Sequence, residues 1–338
     1  VVLRPIFPQK DFNRVKNEQL LEIKQEEVQP IAIGLRVLPR LLYGEGHAYS
    51  TPFTGSGYTG TVNAINRDDL VKYHSAWFAP NAAQLLVVGD ITVAELKAKL
   101  ESRLGTWKQK SVPVKNIATV PAPARPTVYV IDKPDAQQSI ILAGSLAPTM
   151  ASTDWLNMEM MNRIIGGEFT SRLNMNLRED KHWAYGAGTF LLGAKGQSLY
   201  LGYAPVQTDK TKESAAEMKK ELEQFIGDKP ATAEEFAKVQ RNAVLQLPGT
   251  WETSDAVLGA LEEMVVYNRG NDYWPQYANK VRTLTLDHIN TAARNIVRPG
   301  QLTWVIVGDR KKIEAGIREL KLADVRFLDA EGKEQKAL

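Results

Sequence analysis

Apolar positions recur at helical spacing in residues 11–23 (DFNRVKNEQLLEI), and again in residues 235–247 (EFAKVQRNAVLQL). A longer pattern also occurs twice. Residues 68–90 (DDLVKYHSAWFAPNAAQLLVVGD) align without a gap with residues 287–309 (DHINTAARNIVRPGQLTWVIVGD), pairing Asp68 with Asp287, Pro80 with Pro299, Gly89 with Gly308 and Asp90 with Asp309. Each copy predicts a helix, a proline turn, a strand ending in Val-Gly-Asp and a second helix, with the aspartate as its N-cap. Leu85–Val88 and Trp304–Val307 are unbroken apolar runs, the pattern of a buried strand.

The two matches stand in the same order at nearly the same separation, about 220 residues, which marks a duplication. The copies are unequal. Roughly a hundred residues, from about Pro126 to Thr232, precede the second EFAKVQ helix, but only about ten precede the DFNRVK helix. The first unit is therefore incomplete, and its remaining elements should expose apolar surface unless something covers them. We divide the chain into three parts: residues 1–111, the C-terminal part of a first unit; a linker at 112–126 with prolines at 113, 121, 123 and 126; and a complete second unit, 127–338.

Within the second unit, residues 127–133 and 138–145 read as strands. A helix is expected from Ser152 or Thr153 to Ile165, with Trp155, Met158, Met161 and Ile165 on its apolar face and Gly166-Gly167 as its stop. A shorter helix should carry Phe169, Leu173 and Leu177. Strands follow in WAYGAGTFLLG (183–193) and QSLYLGYAPV (197–206), then helices over 208–226 and 232–247. This order predicts an α+β fold with an antiparallel-rich sheet and helices packed on one face.

Composition narrows the chemistry. Lysine and arginine exceed aspartate and glutamate by 42 to 39, too small a balance for a nucleic-acid partner. Cysteine is absent, which excludes disulfides, thiolate zinc sites, iron–sulfur clusters and cysteine nucleophiles. No apolar run reaches the roughly 18 residues of a membrane span. The chain opens Val-Val-Leu with no visible signal peptide, which reads as a processed, trimmed or engineered N-terminus.

Local motifs are sparse. GSGYTG (55–60) matches G-x-G-x-x-G, but no strand precedes it and the next helix is expected near Asp68, so it reads as a glycine-rich loop. His47, His74, His182 and His288 form neither H-x-x-E-H nor H-x-x-x-H, so no zincin-type site lies within the chain; they read as surface or loop residues. Met158, Met160 and Met161 read as core filler. Arg178 closes the short helix and Tyr185 lies on the following strand. A guanidinium and a phenol so placed can both hydrogen-bond a peptide carbonyl or an oxyanion. The simpler alternative is that Arg178 caps its own helix and Tyr185 packs.

Four segments together resemble the pitrilysin/insulinase-type zinc peptidases, which include the mitochondrial processing peptidases: FNRVKNEQLLEIKQEEVQP (12–30), YGEGHAYSTPFTGS (43–56), residues 68–90, and GGEFTSRLNMNLREDKHWAYGA (166–187). The resemblance implies duplicated α+β units that close around a peptide, with zinc held by an H-x-x-E-H motif and a downstream glutamate. The corresponding helix here carries Met158–Asn162 instead. Glu22 falls where the downstream glutamate would lie, but Val15 replaces a further glutamate of the pattern, and one carboxylate cannot hold zinc. The resemblance therefore implies no zinc site in this chain, with zinc in a partner or in a missing N-terminal part.

It further implies that Arg178 and Tyr185 grip a peptide substrate. The expected function is a non-catalytic half that completes a peptide chamber for a catalytic zinc-peptidase subunit or homologous half. Two alternatives are a fragment of an active zinc endopeptidase and a structural scaffold subunit. A periplasmic or exported location is implied by the same resemblance.

Overall fold

The structure, a computed structural model, describes residues 2–335. The first part is helical. Helix α1 (Gln9–Glu26) leads into α2 (Pro30–Tyr43), α3 (Thr59–Ala64), α4 (Arg67–Trp77) and α5 (Val93–Leu104). Residues 107–126 carry neither helix nor strand.

The elements that follow are β1 (Thr127–Asp132), β2 (Gln138–Ala147), α6 (Trp155–Asn162), α7 (Arg172–Asn174), β3 (Gly188–Leu192) and β4 (Ser198–Gln207). Next come α8 (Thr211–Ile226), α9 (Ala233–Leu245), α10 (Leu247–Thr250), α11 (Ser254–Val266), α12 (Tyr273–Thr283) and α13 (Leu286–Ile296). The chain finishes with β5 (Thr303–Gly308), α14 (Arg310–Glu319), β6 (Val325–Leu328) and β7 (Glu334–Gln335).

The seven strands form one sheet in the order β3-β4-β2-β5-β1-β6-β7. Four of its six pairings are antiparallel; β1–β5 and β1–β6 are parallel. The late strand β5 lies at the centre, with Val130 beside Ile306 on one side and Ile141 beside Ile306 on the other. All six of its residues are buried, as the unbroken apolar run predicted.

One sheet face, with Val130, Ile141, Tyr200, Trp304 and Ile306, packs against α6, α8, α9, α13 and α14. Met158, Met160 and Met161 lie in that core, as expected. The helical face read for residues 152–165 is correct: Trp155, Met158, Met161 and Ile165 are all buried. The helix then widens into a π-turn over Arg163–Gly167. A Cβ at Gly166 would stand 2.2 Å from the Thr189 amide nitrogen, so only glycine allows this close approach to β3.

The opposite sheet face is covered by α2, a helix that the period-based reading did not single out. Ile33, Val37, Leu38 and Leu42 pack on Leu142, Leu201, Val305 and Val307. Gly34 permits the contact, since a Cβ there would meet Leu142 Cδ1 at 2.6 Å. Pro39 lies inside this helix and cannot donate to the Leu35 carbonyl. The loop supplies the missing donor: Phe53 N–H bonds Leu35 O at 3.2 Å.

A buried ionic node holds α1, α2 and the GSGYTG loop together. The fully buried Arg36 donates to Glu26 (2.5 Å), to Ser56 Oγ (2.8 Å) and to the Gly57 carbonyl (3.0 Å). Ser56 Oγ also donates to Glu26 at 2.6 Å. The motif is thus a loop, but α3 starts inside it at Thr59 rather than near Asp68.

The first copy departs from its predicted pattern after α4 and the Pro80 turn. Residues 83–88 form no strand, and Leu85 is 61% exposed. Asp90 does not cap the following helix. Thr92 does, in a capping box with Glu95, whereas Asp309 caps α14 through Lys311 N–H as expected.

Candidate functional site

The segment 166–190 is a chain of short elements pinned at many points. Arg172 on α7 forks onto Glu235, with Nε and Nη2 each 2.6 Å from a carboxylate oxygen. Burial works against that carboxylate's charge. The Arg172 and Thr232 hydrogen bonds outweigh burial and hold Glu235 below the ordinary range. After α7 the helix again takes π geometry over Met175–Asp180, where Asn176 donates to Glu217 (3.0 Å) and Glu221 (2.7 Å) of α8. These bonds fix the backbone on which Arg178 stands.

Arg178 is half exposed, and among the described residues its guanidinium donates no hydrogen bond. It stands 3.5 Å from the adjacent Glu179 carboxylate, and its carbon lies 4.5 Å from the centroid of the Phe169 ring. Among the described residues no guanidinium bond goes to a helix carbonyl, although Arg178 stands in the last turn of its helix, where a cation complements the helix dipole. Its own carbonyl faces His182 Nδ1 at 3.1 Å.

Phe169 precedes α7 and lies exposed, rather than on that helix's apolar face as its spacing suggested. Tyr185 is not on a strand. It occupies a bend between the Ala184–Val206 bridge and β3, and it is 87% exposed, its hydroxyl with no hydrogen-bond partner among the described residues. The structure therefore brings Arg178 together with Phe169, while Tyr185 presents its phenol from the next loop; no hydrogen bond joins Arg178 to Tyr185.

Beside Phe169 lies a polar recess of about 500 Å³ lined by Glu159, Arg163, Glu168 and Gln246. Arg163 donates to Glu159 at 3.2 Å, to Glu168 at 3.3 Å and to Gln246 at 3.4 Å. Burial disfavours its charge, but the Glu159 carboxylate overcomes this and keeps the guanidinium above its ordinary range. The sequence reading missed this cluster, because its members are scattered from Glu159 to Gln246 without a motif.

The donor set does not fit zinc. Met158 and Met161 point into the core, and Asn162 is engaged with Thr189 through Oδ1 (2.7 Å) and Nδ2 (3.2 Å). Glu22 is exposed on α1. Among the described residues, no three His, Asp or Glu side chains converge as a metal site would require. Of the histidines, His47 is buried rather than superficial: Nδ1 accepts from Tyr49 N–H (3.0 Å) and Nε2 stands 3.0 Å from the Ala118 carbonyl, a structural loop role. No helix among the described residues is long and apolar enough to cross a membrane.

The family described as peptidase M16 inactive domain matches residues 64–243. The uncharacterized zinc protease YmxG of Bacillus subtilis is 21% identical over 291 residues, covering 86% of this chain and 69% of the relative. A crystal structure of a peptidase M16 inactive domain from Pseudomonas fluorescens superposes with a TM-score of 0.81 at 18% identity, covering 91% of this chain and 72% of that one. The first half of the periplasmic protease PqqL from Escherichia coli gives a TM-score of 0.67 at 13% identity, covering all of this chain and 74% of that half. Against the structure of PqqL itself, the chain spans 38% of the length.

Proposed function

The chain belongs to the peptidase M16 inactive-domain family, and from that premise we propose that it is a peptide-holding half of a zinc-dependent peptidase. It completes the substrate chamber, while a catalytic subunit or homologous half supplies the zinc and the catalytic base. The observation that carries this reading is the state of Arg178 and Tyr185. Among the described residues, one guanidinium donates no hydrogen bond and rests against an aromatic ring, and one phenol is almost fully exposed without a partner. The guanidinium is held only by its sequence neighbour Glu179 and by the Phe169 ring, which leaves it and the Tyr185 phenol open to a peptide.

The guanidinium fork donates to carbonyl oxygens of an extended peptide. The Tyr185 hydroxyl donates to a neighbouring carbonyl or accepts from an N–H. Their contribution is orientation and stabilisation of charge developing on a carbonyl near the partner's zinc, not proton transfer. Zinc belongs to the partner in this reading, because the donors here do not fit it. PqqL is a periplasmic protease of which this chain matches one half; we extend both the paired build and the exported location to this protein.

The test is the affinity of an unstructured fluorescein-labelled peptide for the chain, read by anisotropy. Hydrogen bonds from a charged donor contribute about 1.5–3 kcal/mol, so Arg178→Ala should weaken binding by about ten- to hundredfold. Tyr185→Phe removes a neutral bond and should cost about fivefold. Unchanged affinity in Arg178→Ala overturns the reading.

A further inference from the structure

Arg178 sits in the π-turn that follows α7 and Tyr185 in the loop before β3, so their mutual placement needs a cause. The structure offers one in Asn174. This residue lies one helical turn before Arg178, and its side chain is buried. Its Nδ2 donates to the Phe169 carbonyl at 2.7 Å. Its Oδ1 accepts from Ala187 N–H at 3.0 Å. One amide therefore ties the segment carrying Phe169 to the segment carrying Tyr185, two residues before Ala187. An amide is suited to this because it offers a donor and an acceptor at once.

The second half of the arrangement is the Phe169 ring, 4.5 Å from the Arg178 guanidinium carbon. A large aromatic is normally withdrawn from water; this one stays exposed and meets a cation instead. The Asn174 bond holds its backbone. The Gly166-Gly167 π-turn fixes where the segment leaves α6, since a Cβ at Gly167 would stand 2.7 Å from Asn162 Nδ2. Arg178 has a long flexible stem, and ordering such a side chain costs free energy on binding. A guanidinium already stacked on a fixed ring has lost part of that freedom before the peptide arrives.

We propose that Asn174 and Phe169 are the positioning residues of the peptide grip. Asn174 sets the distance between the Arg178 turn and the Tyr185 loop, and Phe169 pre-orients the Arg178 guanidinium. Neither touches the peptide's reacting atoms. This inference rests on the peptide-holding reading above.

Two readouts on the full chain test it: anisotropy with the same labelled peptide, and the NMR shift of the Arg178 Nε–H, which the Phe169 ring current displaces. Phe169→Leu should abolish the ring-current displacement and weaken the peptide about two- to fivefold, the range of an exposed cation–π contact. Phe169→Tyr should restore both. Asn174→Ala should weaken the peptide about tenfold, and Asn174→Asp, which keeps the acceptor for Ala187 but loses the donor for Phe169, should do so as well. Asp309→Ala, a cap mutation on α14 far in sequence from this segment, serves as the control for general destabilisation and should bind peptide normally.

Peptide affinity that is unchanged in Phe169→Leu and in folded Asn174→Ala overturns the inference, even if Arg178→Ala still loses binding. An affinity loss in Asp309→Ala equal to that in Asn174→Ala overturns it too, because the effect is then one of stability. Should Arg178→Ala itself bind normally, the peptide-holding reading fails, and this inference fails with it.

Discussion

The same 23-residue pattern appears at residues 68–90 and 287–309, yet the strand it predicts forms only once. The helices match: α4 and α13 occupy equivalent residues, and each is followed by a 3-10 turn at its proline. The strands do not. Trp304 and Ile306 are 1% and 0% exposed between β1 and β2, whereas their counterparts Leu85 and Val87 are 61% and 41% exposed in a segment with no sheet partner.

A helix closes its hydrogen bonds within itself, so local sequence suffices to form it. A strand borrows its bonds from neighbours. In the second copy those neighbours come from the residues that precede its EFAKVQ helix; among the described residues of the first copy none are present. The same contrast holds upstream. Val239 on α9 is buried in the core, while Val15 at the matching point of α1 lines an apolar groove of about 830 Å³ with Phe12, Ile65 and Leu70.

The sharpest test of that contrast is a pair of truncations. Trp304→Ala opens a cavity at the sheet centre and should cost about 3–5 kcal/mol in chemical denaturation. Leu85→Ala should stay within about 0.5 kcal/mol. Comparable losses would mean that Leu85 is covered in solution.

A second prediction concerns what holds the first copy without a sheet. Removing one partner of a buried ion pair costs about 3–5 kcal/mol, so Glu26→Ala, which strands the buried Arg36, should lose an amount in that range. A loss below about 1 kcal/mol would show that the node is not what joins α1 to α2.

Smaller effects separate the two aspartates. Asp309→Ala removes a helix cap and should cost about 1 kcal/mol, whereas Asp90→Ala should be near neutral, with Thr92→Ala taking the loss instead. The smallest effect is one of pH. Helix α9 starts with the Thr232–Glu235 capping box, while α1 starts at Pro8 with no side-chain cap. Glu235 titrates below its ordinary 4.5 in the folded chain, so its contribution is complete above that value and fades as the pH falls through the lower folded value. Glu235→Gln should therefore flatten the acid side of the stability profile, and an unchanged profile would contradict the pairing with Arg172.

These comparisons also explain what the sequence disclosed. The central strand was legible because a strand buried on both faces needs an unbroken apolar run, as Trp304–Val307 has. The identical logic failed at Leu85–Val88, since burial depends on neighbours that the local pattern does not contain. Helix α2 escaped notice because its apolar residues run nearly all round, interrupted by Gly34 and Pro39, both explained only by contacts distant in sequence. At the candidate site, Arg178 and Tyr185 were singled out by the family resemblance, since the residues alone left helix capping and packing as the simpler reading. Asn174, Phe169 and Arg163 were not, because their roles arise from hydrogen bonds and stacking across loops that no periodicity reports.

In the proposed function, peptide is held through the segment around Arg178 and not along the groove lined by Phe12 and Val15. Hydrogen–deuterium exchange with and without saturating unstructured peptide tests it directly. Added protection is expected within residues 169–188 and none in residues 84–89 or along the groove lined by Phe12 and Val15. Protection at that groove, with the Arg178 segment unchanged, would contradict it.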